Sequence, residues 1–206
     1  MMKTLLKINI QHTSLLLALC STLAFTGCQS ISKTTSKMTN KALSMVGLGD
    51  KEVKVPEIDK QGVVDISKTT LEQIEKLTQN MPTGEWVYIE NDLQGIYTLQ
   101  NKSVDGNMLF LRIHCKNPAQ RPGFIIQNKE GQDLLKSYDP QAGTIQLLLD
   151  NKNYGNPFDL TQLKNYPIFK SALSKAKVIK IYNASTLYTF QNNKAELLEK
   201  QVTCKE

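Results

Sequence analysis

Along the chain, apolar positions change their spacing three times. Leu15, Leu16, Leu17, Ala18, Leu19, Leu23 and Ala24 crowd one apolar run behind Lys3 and Lys7, and the run stops at Gly27-Cys28. From Gln29 to about Gly62, apolar residues thin out among Ser30, Ser32, Thr34, Thr35, Ser36 and several lysines. That composition belongs to a tether, because it offers too little apolar surface to offset chain entropy. Within it Met38, Ala42, Met45 and Val46 keep helical spacing and Gly47 supplies a stop, which predicts a short helix over Thr39 to Val46. Val53, Val55 and Ile58 then alternate around Pro56, as in an extended arm.

A folded domain is predicted from Val63 to Glu206, ample for one core. Thr69 and Thr70 each precede Glu72 or Gln73 by three residues, and Leu71, Ile74 and Leu77 form a stripe, so a capped helix runs from Thr70 to Gln79. Beyond Pro82 and Gly84 the period becomes two. Strands are expected at Trp86 to Ile89, Gly95 to Leu99, Met108 to Cys115, Phe124 to Gln127, Asp133 to Tyr138 and Thr144 to Leu149. Asp105-Gly106, Pro122-Gly123, Glu130-Gly131 and Pro140 to Gly143 supply the turns between them. Pro167 opens a further helix that carries Ile168, Phe169, Ala172, Leu173 and Ala176 inward. Strands at Val178 to Tyr182 and Leu187 to Gln191 follow, joined by a turn at Asn183-Ala184-Ser185, and a last helix is expected over Ala195 to Val202. The fold class is therefore α+β, mainly β: an antiparallel β-sandwich or curved meander with two or three short flanking helices.

The N-terminal layout, basic then apolar then small, is that of an export signal and is too short for a membrane span. Leu23 to Cys28 resembles the end of a bacterial lipoprotein signal, with Phe25 bulkier than the residue usual at that position. The resemblance implies cleavage after Gly27, diacylglycerol on the Cys28 thiol and an acylated new amine, palmitate among the acyl groups. Three acyl chains make such an anchor practically permanent. Gln29 departs from the Asp of the inner-membrane retention signal, so the address implied is the outer membrane, with the domain facing the periplasm. Residues 1–27 then form the signal, residues 28–62 the lipidated tether and residues 63–206 the periplasmic domain.

Cys20 leaves with the signal and Cys28 carries lipid, so Cys115 and Cys204 remain, and two thiols in an exported chain predict one disulfide. Closing a loop of about 90 residues stabilises a fold by roughly 4 to 5 kcal/mol on the chain-entropy model. Of the 25 basic and 19 acidic residues, the signal removes Lys3 and Lys7 and no acid, leaving a formal charge of +4. With only Arg112 and Arg121 as arginines and scattered lysines, no nucleic-acid interface is expected.

Catalytic patterns are thin. Outside the signal His114 is the only histidine, which excludes a two-histidine metal site, and as strand neighbours His114 and Cys115 point to opposite faces and cannot form a dyad. The chain contains no phosphate loop and no nucleophile elbow. No catalytic residue, metal or cofactor is assigned. In Met108 to Cys115, Leu109, Leu111, Ile113 and Cys115 share one face, taken as core. Met108, Phe110, Arg112 and His114 share the other, which becomes the candidate partner face unless a second layer covers it.

Two further resemblances bear on partners. The segment Thr39 to Leu48, with Pro56-Glu57 beyond it, resembles the post-anchor arm of the type VI secretion outer-membrane lipoprotein of TssJ type. The order Trp86, Leu111 to Cys115, Thr144 to Asp150, Phe169 to Leu173, Val178 to Tyr182, Phe190 and Leu197 to Cys204 is similar to periplasmic accessory proteins of TagO type. Both imply a non-catalytic docking component of an envelope complex that meets an inner-membrane secretion component or peptidoglycan. A free-standing lipoprotein that binds peptidoglycan or a small ligand is the alternative, and a periplasmic hydrolase ranks behind both.

Overall fold

The computed structural model describes residues 54–205. Cys28, the predicted helix over Thr39 to Val46, and Val53 lie outside the described residues. The described chain is mainly β, with several sheets, two short α-helices and a Cys115–Cys204 disulfide.

A six-stranded sheet contains β1 (Val63–Asp65), β2 (Trp86–Asn91), β3 (Ile96–Lys102), β4 (Met108–Arg112), β6 (Gly123–Gln127) and β7 (Asp133–Lys136), in that spatial order. From β2 onward it is an antiparallel meander, whereas β1 runs parallel to β2. A four-stranded sheet follows in the order β11, β10, β8, β9, built from β8 (Gln146–Leu149), β9 (Lys152–Asn153), β10 (Val178–Tyr182) and β11 (Leu187–Gln191). Two short strands, β5 (His114–Cys115) and β12 (Gln201–Val202), pair in parallel.

Alternation along each strand divides its side chains between two cores. Trp86 and Tyr88 of β2, Leu109 and Leu111 of β4, and Phe124 and Ile126 of β6 face the four-stranded sheet. There they meet Leu147, Leu149, Ile179, Ile181 and Phe190, and Phe169 and Leu173 from α2 (Tyr166–Leu173) join the same cluster. On the opposite face Val64, Val87, Ile89 and Met108 pack against Leu77 of α1 (Leu71–Gln79) and Met81. Helix α1 starts where the sequence places it, because Thr70 and Gln73 form a reciprocal capping box.

The folded unit begins earlier than alternation alone suggests. Val55 and Ile58, read as part of the tether, pack against the second core, and the Val63 amide donates to Asp59 Oδ1 at 2.8 Å. The last predicted helix is also different. Ala195–Glu199 forms one 3-10 turn with Leu197 and Leu198 buried, after which the chain extends as β12. The Lys116 amide bonds Val202 O and the Thr203 amide bonds Tyr97 O, and these partners hold the segment extended. The Cys115–Cys204 bridge, Cα to Cα 5.4 Å, therefore joins two short extended segments rather than a helix to a central strand. In α2 the inward face is narrower than expected, with Phe169 and Leu173 buried and Ile168 61% exposed.

One polar group is built into the main core. Asn192, 5% exposed, accepts the Trp86 Nε1–H at 2.6 Å and donates to Leu173 O and Ala176 O, each at 2.8 Å. It thus ties the start of β2, the end of α2 and the end of β11 at one point.

Candidate functional site

The stripe Met108, Phe110, Arg112 and His114 is not an open face. Met108 is buried and Phe110 half-buried in the core beneath α1. The ladder then breaks at Ile113, so Arg112 and His114 belong to different strands. Arg112 is buried and donates from Nη1 to Lys205 O at 2.7 Å, while His114 Nε2 sits 3.2 Å from Glu199 Oε2 without hydrogen-bond alignment. A second layer covers half of the stripe, and the other half braces the C-terminal segment.

A more open surface lies around Arg121. The loop after β5 carries Pro118 and Pro122, and Pro118 lacks the amide a ladder would need. Asn117 organises the loop, accepting from the Ala119 amide through its side chain and from the Gln120 amide through its carbonyl. Gln120 Oε1 in turn accepts from the Cys204 amide at 3.2 Å, so the disulfide region backs this wall. Facing it is the 3-10 helix Leu160–Asn165, capped by Asp159, whose carboxylate accepts from the Thr161 amide and hydroxyl, both at 2.8 Å. Those two bonds hold the Asp159 carboxyl below the usual carboxylate range.

Between the walls stands Tyr138, just beyond β7. Its hydroxyl donates to Pro122 O, and Arg121 Cζ lies 4.1 Å from its ring centroid. Gly123 makes this seating possible: a Cβ there would lie 2.5 Å from Ser137 Oγ and 3.2 Å from Tyr138 Cε2. Phe158 supplies the floor, fully packed against Phe124, Phe169 and Tyr166 with centroids 5.7 to 5.9 Å apart. Tyr166 donates to Ile113 O at 2.7 Å, and burial pushes its phenol pKa up.

Three cavities of about 510, 400 and 340 Å³ share Arg121 and Tyr138. The largest has hydroxyl and amide walls, with Ser137, Thr144, Asn156 and Gln162. The smallest is mostly apolar, between Pro118, Pro122, Phe158, Leu160, Leu163 and Tyr166. At 3-10 spacing Leu160 and Leu163 stand one above the other, and they are 63% and 51% exposed. A cation beside an apolar shelf suits non-covalent recognition. Among the described residues no histidine lines these cavities, and the Cys204 sulfur is in the disulfide.

A family model described as YfjT matches residues 84–197, more than half of the chain. The chain belongs to the YfjT family. The YfjT region holds both sheets from β2 onward, together with Arg121, Tyr138, Leu160 and Leu163. It leaves out β1, α1 and Cys204. No curated protein and no solved structure matches the chain significantly.

Sequence reasoning did not single out Arg121, Leu160 or Leu163, and it placed Tyr138, one of seven tyrosines, only at the end of a predicted strand. None of the seven is fully exposed, and Tyr88, Tyr97, Tyr138, Tyr166 and Tyr182 each donate a hydrogen bond from the phenol. A signal was nonetheless present: two prolines bracketing an arginine, and two leucines three apart that fit neither predicted element.

Proposed function

We propose that the chain is a lipid-anchored, non-catalytic binding module of the bacterial envelope. It is held to the outer membrane through Cys28 and engages its partner through the Arg121–Tyr138 cleft. The observation that carries this reading is the cleft, where exposed Leu160 and Leu163 face Pro118 and Pro122 beside a cation stacked on an aromatic ring. Aromatic and arginine anchors in an apolar setting are the composition of partner surfaces. The disulfide supports an oxidising compartment, in keeping with the signal-like N-terminus. An anchored domain searches for its partner within a thin layer, so a modest interface gains effective concentration.

The partner is an inner-membrane secretion component, with the type VI membrane complex the assembly that the resemblances favour, or peptidoglycan itself. The test combines labelled palmitate with photo-crosslinkers at Leu163 and, as control, at Asp105 on the β3–β4 turn. The reading expects palmitate in the parent but not in Cys28→Ser. It also expects the Leu163 probe alone to capture a secretion component or glycan strand in intact cells. Absence of palmitate, or identical products from both probes, refutes it.

A further inference from the structure

Arg121 borders three cavities, two of them without a carboxylate and the third lined also by Asp139 and Asp159. Among the described residues its guanidinium makes no hydrogen bond or ion pair; it stacks on the Tyr138 ring at 4.1 Å, and, after the Thr161 bonds, its charge helps to hold the Asp159 carboxyl low. Stacking restricts the guanidinium while leaving N–H groups to meet a planar anion with two parallel bonds. Lys205 lines the same cavity as Arg121 and Gln120, and the acid that follows it in sequence, Glu206, lies outside the described residues. The two carboxylates of the neighbouring polar cavity are already engaged. Asp159 caps its helix, and Asp139 accepts from the Gln141 amide at 2.8 Å. Arg121 therefore keeps its N–H groups for an anion brought by a ligand, although Asp159 supplies part of the compensating charge.

The surroundings narrow its class. The adjoining apolar cavity of about 340 Å³ opens onto Leu160 and Leu163, enough for one or two apolar side chains and too little for paired acyl chains. The polar cavity on the other side offers hydroxyl and amide groups from Ser137, Thr144, Asn156 and Gln162, which suit a peptide backbone.

We propose that this cleft takes the free C-terminal end of a peptide, with its carboxylate on Arg121 and its last apolar side chains across Leu160 and Leu163. The inference rests on the docking role proposed above and names the chemistry recognised there.

The test uses the detergent-solubilised full chain and fluorescence anisotropy of a labelled peptide ending Ala-Leu-Leu, as the free acid and as the C-terminal amide. The acid should bind at least about 10-fold more tightly than the amide, since one charge-assisted bidentate contact separates them. Arg121→Gln should erase that preference while leaving amide binding within about two-fold. Leu160→Ser with Leu163→Ser should weaken both peptides. Arg121 and both leucines are exposed, so unchanged Trp86 fluorescence confirms that these variants fold. Equal binding of acid and amide, or an acid preference that survives Arg121→Gln, overturns the proposal. So does Arg121-dependent binding to anionic phospholipid vesicles without any preference for the acid peptide. If peptide binding fails while Leu163 still crosslinks its partner in cells, only the ligand class is wrong. If crosslinking fails while the acid preference holds, the envelope role is wrong.

Discussion

Replacing Asn192 by Leu removes three hydrogen bonds from the interior in a single step. The Trp86 Nε1–H, bonded at 2.6 Å, and the carbonyls of Leu173 and Ala176, each bonded at 2.8 Å, would all lose their partner. Trp86 is fully buried, so its donor has no route to water. Each buried group left unpaired costs about 1 to 2 kcal/mol, so the loss should be roughly 3 to 5 kcal/mol, a large share of the ~5 to 15 kcal/mol that holds a domain together. With a urea m-value of about 2 kcal/mol/M, the unfolding midpoint should fall by roughly 2 M. Trp86 is the only tryptophan, so its emission follows the transition directly. Trp86→Phe removes one of the three dependants, and in that background Asn192→Leu should cost about 1 to 2 kcal/mol less, measured by circular dichroism. A midpoint shift below about 0.5 M, or strict additivity of the two substitutions, would falsify the claim that Asn192 joins β2 to the α2 corner.

Other perturbations probe different parts of the fold. Converting Cys115 and Cys204 to Ser opens a cross-link spanning 89 positions, and the chain-entropy model expects a loss of roughly 4.5 kcal/mol, with the β12 amides exchanging hydrogen first; a loss under about 1 kcal/mol would show that the unfolded chain gains little freedom. Gly62 and Gly131 both have positive φ, at 88° and 80°, but only at Gly62 would a Cβ meet neighbours, 2.9 Å from Leu197 Cδ1 and 3.1 Å from Trp86 O. Gly131→Ala should therefore cost about 1 kcal/mol and Gly62→Ala at least about 1 kcal/mol more, with equal unfolding midpoints as the contrary result. Burial, followed by the charge of Glu90, raises the Tyr88 phenol from 10.0 to about 12. The neutral form is favoured in the folded state, so the Tyr88 contribution is fully present below pH 10 and is lost between about pH 10 and pH 12. Denaturant midpoints across that window should fall less steeply in Tyr88→Phe, and parallel curves would count against the assignment.

Local rules were legible wherever one neighbour decides the conformation. Thr70 with Gln73 set the start of α1, Pro167 lies in the first turn of α2, and Asn183 Oδ1 accepts from the amides of Ser185 and Thr186 in the turn between β10 and β11. Alternation also separated Leu109, Leu111 and Ile113 from Met108 and Phe110 correctly, since a strand offers only two faces. What alternation cannot state is which face another layer covers, and α1 covers the side that carries Met108. The residues after Leu198 failed for a related reason: Lys116 and Tyr97, more than 80 positions away, supply the partners that keep Val202 and Thr203 extended. The cleft was the least legible feature because Arg121, Tyr138 and Leu160 lie on three separate segments, and only the closed fold brings them together.

The parallel pairing of β1 with β2 bears on how the domain responds to mechanical load. Val63, Val64 and Asp65 are in register with Tyr88, Ile89 and Glu90, and the flanking bonds Tyr88 N–H to Gly62 O and Ile66 N–H to Glu90 O, both 2.8 Å, bracket that ladder. A load directed along β1, once the Asp59–Val63 turn ahead of it had opened, would be shared by these bonds side by side instead of parting them one after another. A grip of that kind yields by sliding, which demands the concerted rupture of several contacts, whereas a hairpin end would peel open. The first strand is thus a reinforced one behind the Asp59–Val63 turn, a property suited to any module that must hold position while its surroundings move.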